Sequence, residues 1–274
     1  MKTRFRVIHC GAIGIAAASV LAAVPSAGAA GAGPVTTLAV FPTQLILVGA
    51  AEGTYTVRNP TAKPISLSAS IGNYTIKPNG KAVVNPKVPP KGSAEHWLAI
   101  SPKSFQLKPH ASAVLNVRSH PGKHAGPGDH HALVLFTTAP SGKGRVLVRT
   151  RIGVTALVRV RGKIKRKLVI GGVSATRRKH QLRLILNNRG NINERLPKQS
   201  VRVVLKKGQR TLQRLSAPPR DMLPHSRSVY GLPYRHGLKG TLTATVTVRP
   251  QNGKLAGALA PPLKPIKKTF RVRF

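Results

Sequence analysis

The residues best suited to chemistry in this chain are its histidines. The stretch "HPGKHAGPGDHHALVLF", His120 to Phe136, places His120, His124, His130 and His131, four of the ten histidines, within twelve positions. Imidazoles at that density raise two possibilities, a metal centre and a pH-dependent charge. The spacing argues against metal. His130 and His131 are consecutive, and the pleat of a strand sends consecutive side chains to opposite faces. His120 and His124 stand among Gly and Pro, which fix no geometry for them. Only Asp129 is near enough in sequence to join them, and structural zinc takes four convergent ligands. The expectation is no metal and no cofactor, with histidines that gain charge as pH falls through about 6.5.

Other reactive groups are equally sparse. The five acids, Glu52, Glu95, Asp129, Glu194 and Asp221, are scattered, so no carboxylate pair for acid–base work is apparent. No GxSxG, SxxK or HExxH pattern and no glycine-rich phosphate loop occurs. Asp221, His225 and Ser226 in "RDMLPHS" fit a short proline-containing turn better than a triad. The single cysteine, Cys10, lies near the N-terminus, which excludes a disulfide framework and a cysteine nucleophile elsewhere. The chain reads as a protein that is not an enzyme.

The N-terminus reads as an export signal. Lys2, Arg4 and Arg6 precede an apolar run from Val7 to Val24, and "SAGAAGAG" after Pro25 offers small-residue cleavage sites near Ala29 or Ala30. That order is a secretory signal peptide over residues 1–30. No later apolar stretch is long enough to span a bilayer, so no transmembrane segment is expected in the exported chain. Lys and Arg number 46 against 5 Asp and Glu, a formal charge of +41. Such a field attracts anionic partners. For an exported chain these would be wall polymers, lipid phosphates or lipopolysaccharide. Aromatic residues make up only 4% and do not interleave with the basic stretches, which argues against nucleic acid.

What remains is a succession of short alternating segments punctuated by 23 Pro and 26 Gly. Tyr55 and Val57 share one face of "GTYTVRNP"; Ile65, Leu67, Ala69 and Ile71 share one face of "PISLSASIG". Leu115 and Val117, then Leu182, Leu184 and Leu186, then Leu242, Ala244, Val246 and Val248 repeat the pattern. Period-two alternation predicts half-buried strands. The fold class is all-β, two tandem immunoglobulin-like β-sandwiches. The expected domains are 34–162 and 163–274, joined at the basic segment "GKIKRK". The longest expected strand, "GRVLVRTRIGVTALVRVRG", alternates Val146, Val148, Ile152, Val154, Ala156, Val158 and Val160 with Arg145, Arg149, Arg151, Arg159 and Arg161. A pleat that buries the first row holds the second in solvent, so these five arginines are the candidate contact surface for a polyanion or a partner protein.

The segment "AEHWLAISPKSFQLKPHASAVLNVRSHPGKHAGPGDHHALVLFTTAP" resembles the N-terminal immunoglobulin-like domain of the WxL-interacting surface proteins of Gram-positive bacteria. It is more distantly similar to the first domain of periplasmic pilus-assembly chaperones, which have two such domains. "LRLILNNRGNINERL", with its turn at Asn188–Asn191, resembles the strand-and-turn of bacterial envelope immunoglobulin-like domains. The nearer resemblance implies an exported, non-enzymatic envelope protein that contacts wall polymers or another surface protein, in the periplasm, in the wall or outside the cell. The more distant one implies a chaperone that lends an alternating strand to a fibre subunit and uses cleft cations to hold that subunit's terminal carboxylate. Charge alone gives a third expectation, a polyanion binder. The expected partner is accordingly an anionic envelope polymer or another exported protein.

Overall fold

The computed structural model describes residues 38–140 and 147–274; the expected signal peptide lies outside the described residues. Most alternating segments become strands, but the longest expected one is shortened: its strand starts only at Arg151, and Val148, expected in its buried row, is 45% exposed. The first sandwich is built from β1 (Ala39–Phe41), β2 (Gln44–Val48), β3 (Ala51–Arg58), β4 (Ile65–Gly72), β5 (Tyr74–Ile76), β6 (Ala82–Val84), β7 (Leu98–Ser101), β8 (Ser104–Leu107), β9 (Ser112–Ser119), β10 (Gly128–Thr138) and β11 (Arg151–Val160). The second comprises β12 (Leu168–Thr176), β13 (Gln181–Asn188), β14 (Glu194–Leu196), β15 (Val201–Lys207), β16 (Arg210–Ser216), β17 (Arg220–Met222), β18 (Arg227–Pro233), β19 (Thr241–Val248) and β20 (Ile266–Arg273). In the first sandwich a sheet ordered β1-β3-β9-β7 faces one ordered β2-β11-β10-β4-β8, with β5 and β6 as a separate hairpin. In the second, β12-β13-β18 faces β16-β15-β19-β20, and β14 and β17 form a small ribbon. No strand up to β11 shares a sheet with a strand from β12 onward. The fold is two immunoglobulin-like β-sandwiches in tandem.

Each core is the meeting of the inward rows. Tyr55, Val57, Leu67, Leu115, Val117, Phe136 and Ala156 fill the first. Leu182, Leu184, Leu186, Val203, Leu205, Ala244, Val246 and Val272 fill the second. Non-directional burial of these side chains supplies most of the stabilisation, since the described chain has no disulfide.

Polar groups then fix where the strands end. Asn59 is fully buried just past β3, and its Nδ2 donates to the carbonyls of Lys63, Leu107 and Lys108 at 2.7, 3.4 and 3.0 Å. Its Oδ1 accepts from the Thr61 N–H at 2.9 Å. Asn188, the last residue of β13, does the same. Its Nδ2 donates to Ile192, Met222 and Leu223 at 2.8, 3.0 and 3.1 Å, and its Oδ1 accepts from the Gly190 N–H at 3.0 Å. One amide thus bonds three carbonyls, all of them buried around Asn188 and partly buried around Asn59, and the same device closes a turn in both sandwiches. Replacing Asn59 by Ala leaves those acceptors without a donor. We expect it to lower the unfolding free energy by about 2–3 kcal/mol in chemical denaturation, whereas Asn116→Ala on the exposed face of β9 leaves it unchanged within about 0.5 kcal/mol.

Candidate functional site

The histidine cluster does not converge. His131 is buried beneath the hairpin, its Nε2 placed 3.1 Å from the Tyr74 carbonyl oxygen and its ring edge-on to Tyr74 with centroids 5.1 Å apart. His130 points the other way and packs on Trp97 at 4.4 Å, its Nε2 within 2.9 Å of the Gly126 carbonyl. His120 and His124 are exposed. Among the described residues no group of three or more His, Cys, Asp or Glu could hold a metal ion. The expectation that all four titrate near the ordinary value fails for His131. Burial disfavours its charged form and pulls its pKa down to about 4.

The arginine row is divided by the fold. Arg145 lies outside the described residues. Arg149 and Arg161 flank β11 and are exposed, and Arg151 is exposed with its Nε 3.2 Å from Thr137 Oγ1. Arg159 does not face solvent: it is 1% exposed. The pleat rule assumes one wet face, but β11 is covered on both from Ala156 to Arg159. The second sandwich supplies the extra cover through the loop after the 3-10 turn at Gly253–Ala256. Arg159 Nη1 donates to the carbonyls of Ala256 and Ala258 at 3.2 and 2.6 Å, and a Cβ on Gly257 would meet its guanidinium at 3.2 Å.

Arg159 belongs to a polar junction between the sandwiches. Its Nε and Nη2 grip Asp129 Oδ1 and Oδ2 at 2.6 and 2.9 Å, and Asp129 Oδ2 also accepts the Asn193 N–H at 2.8 Å. Here the Asn188–Asn191 turn acts as a plug. Asn191 donates to the carbonyls of Pro127 and Lys163 at 2.8 and 2.9 Å, and its own carbonyl accepts the Asp129 N–H at 2.8 Å. Gly128, at φ +120°, is required because a Cβ there would collide with the Asn191 carbonyl oxygen. A second bidentate pair, Arg166 to Glu194 with both bonds at 2.7 Å, has side-chain exposures of 3% and 1%. A third arginine, Arg220, donates to the carbonyls of Pro78 and Asn79 at 3.0 and 2.8 Å, clasping the β5–β6 turn, and lies 4.2 Å over the Tyr230 ring. Leu223 adds apolar contact with Tyr74, Leu133 and Leu135.

Sequence reasoning missed these three clamps, whose partners are 28 to 142 residues apart. The available signal was scarcity: in so basic a chain an acid that persists, as four do in strands and Glu95 does in a 3-10 turn, is being used. All five are. Glu52 pairs with Arg118 at 2.8 Å, Asp221 faces Arg195 at 3.9 Å, and Glu95 accepts from Asn73 at 2.6 Å. Each carboxylate is therefore occupied structurally, and none is paired with another.

What the junction leaves open is a strand edge. β10 pairs along the whole length of one side of β11. On the other side β2 runs parallel to β11 from Thr155 to Arg159 only. Among the described residues the edge of Arg151–Val154 on that side has no partner strand. Just ahead of it Leu147 and Val148 stand 52% and 45% exposed. The site is a short unpaired edge with apolar side chains leading into it and Arg149 and Arg151 beside it.

No protein-family model matches the chain, and no curated protein is similar to it. Solved structures are. The YadV chaperone is 12% identical with a TM-score of 0.53, covering 85% of this chain and 98% of its own. The CsuC–CsuE chaperone–tip subunit pre-assembly complex of Acinetobacter baumannii Csu pili gives 12% and 0.48, covering 86% and 98%. The SafA pilin–SafB chaperone complex of Salmonella enterica gives 12% and 0.47, covering 87% and 99%. The likeness is one of fold, and it falls on the more distant of the two resemblances in the sequence. The resemblance to WxL-interacting surface proteins finds no support. The expected envelope protein that contacts wall polymers or a surface protein is accordingly corrected, because its similar structures are pilus chaperones.

Two outcomes test the junction. Arg159→Ala strands the buried Asp129 carboxylate and is expected to cost about 3–5 kcal/mol in denaturant unfolding, while Arg161→Ala costs nothing measurable. For His131 the folded pKa lies below the unfolded one, so the unfolded state binds the proton first as pH falls. Stability is then full above about 6.5 and declines by about 3 kcal/mol towards about pH 4. His131→Phe removes that part of the slope in denaturation curves taken across the range.

Proposed function

We propose that this chain is an exported, non-enzymatic chaperone that binds a fibre subunit by strand pairing along β11. The carrying observation is the edge of Arg151–Val154, which has main-chain groups to offer and, among the described residues, no neighbouring strand on that side. An extended segment added there gains backbone hydrogen bonds, and its alternate side chains meet alternate pockets. The two-sandwich fold shared with the YadV chaperone supports the reading. The partner is another exported protein and the place of action is the periplasm. Among the described residues no helix is long and apolar enough to cross a membrane. Arg149, just ahead of the edge, and Arg151, its first residue, are the contact residues of this reading; Arg161 lies past the other end of β11, and Arg145 is outside the described residues.

The test is a crosslinking pull-down from the envelope of the host, washed at high salt. The chaperone reading expects a single exported protein that survives the wash, because strand pairing is not screened as surface charge is. Leu147→Asp with Val148→Asp, two exposed positions, is expected to reduce its capture at least tenfold while the melting curve is unchanged. Capture unaffected by the pair of substitutions, or no exported protein captured, refutes the assignment.

A further inference from the structure

The outer face of the four-stranded sheet in the second sandwich carries an array that strand donation does not use. The register places Ser216, Arg202, Thr247 and Lys267 in one row across β16, β15, β19 and β20. The next row is Arg214, Val204, Thr245 and Thr269, and the third is Thr211, Lys206, Thr243 and Arg271. Thr241 opposite Arg273 closes the end. Six cations therefore share one face, two on β15, three on β20 and one on β16, with a column of four threonines between the two larger groups. Like charges directly opposite on adjacent strands repel, and the β19 threonines separate them.

Among the described residues no acidic side chain pairs with these cations. Glu194 is buried against Arg166, Asp221 faces Arg195, and the other three acids belong to the first sandwich. Basic residues on edge strands block unwanted pairing, which accounts for those of β16 and β20. It does not account for Arg202 and Lys206, which stand on the interior strand β15.

We infer that this face docks on an anionic lipid surface, its guanidinium, ammonium and hydroxyl groups donating to headgroup phosphates. The array is broad in two dimensions, spanning three strand spacings, about 14 Å, by about 20 Å from Lys267 to Arg273. That shape suits a plane of phosphates better than a single thread, and no aromatic side chain stands on it to stack a base. Phosphate oxygens take charge-assisted bonds from arginine in pairs, and threonine hydroxyls fill the acceptors between. The inference stands apart from strand pairing, which uses the first sandwich.

The experiment is flotation of the full protein with vesicles of phosphatidylcholine alone and with one third phosphatidylglycerol, at low and high salt. Binding is expected only with phosphatidylglycerol and is lost at high salt. Replacing Arg202, Lys206, Lys267 and Arg271 by Gln should lower the vesicle partition by about 100-fold or more. The same number of exposed cations removed from the first sandwich, Arg58, Lys63, Lys103 and Lys108 to Gln, should lower it less than about fivefold. Circular dichroism confirms that both variants are folded. Equal losses in the two variants, no flotation with anionic vesicles, or retention by polyphosphate without vesicle binding would each overturn the assignment. Subunit capture by the first variant stays intact if strand pairing holds, so the two readings fail separately.

Discussion

The bidentate pair between Asp129 and Arg159 is the constraint on which the rest is arranged. It joins neighbouring strands at the end of the first sandwich, in a place water does not reach. Two charges there are tolerable only if every remaining donor and acceptor finds a partner. The second sandwich provides those partners, the Asn193 N–H for the carboxylate and the Ala256 and Ala258 carbonyls for the guanidinium. The pair is therefore fully satisfied only with the two domains in this arrangement. Arg166 with Glu194, and Arg220 on the β5–β6 turn, apply the same logic on either side.

This arrangement explains how a chain with so few acids remains specific. Unpaired surface cations repel one another and do little to define a structure. Two of the five carboxylates, Asp129 and Glu194, are buried in bidentate arginine pairs, where a charge has the largest geometric consequence, whereas Glu52 pairs with Arg118 on the surface. What is left on the surface is almost wholly positive, and its organisation differs between domains. In the first it borders an open edge, whereas in the second it tiles a sheet face.

Strand existence and facing were legible because one residue in two is apolar. Leu182, Leu184 and Leu186, and the Leu242 to Val248 series, are buried as their alternation requires. The same rule failed at Arg159, since alternation reports a wet face only where nothing packs on it, and here a loop from a domain about 100 residues later does. His131 failed for the same reason. Its neighbour His130 keeps solvent while β5 roofs His131 over. The open edge of β11 was invisible, because an unpaired strand and a paired one carry the same pattern. It is defined by how short β2 is. Of the two family resemblances, the fold agrees with the more distant one and the nearer finds no support, since short blocks such as "NNRGN" encode a local turn, here the one closed by Asn188, and not the whole sandwich.

The parallel course of β2 beside β11 has one more consequence. Its first residue, Gln44, stands opposite Thr155, directly where the unpaired edge ends. A guest strand laid on Arg151–Val154 meets Gln44 and can go no further along the sheet. Slippage is the ordinary weakness of edge pairing, because a shift of one residue turns every side chain to the wrong face. Here the lane is closed at one end, so under the proposed strand pairing an added segment would be set in frame by an abutment as well as by its own sequence.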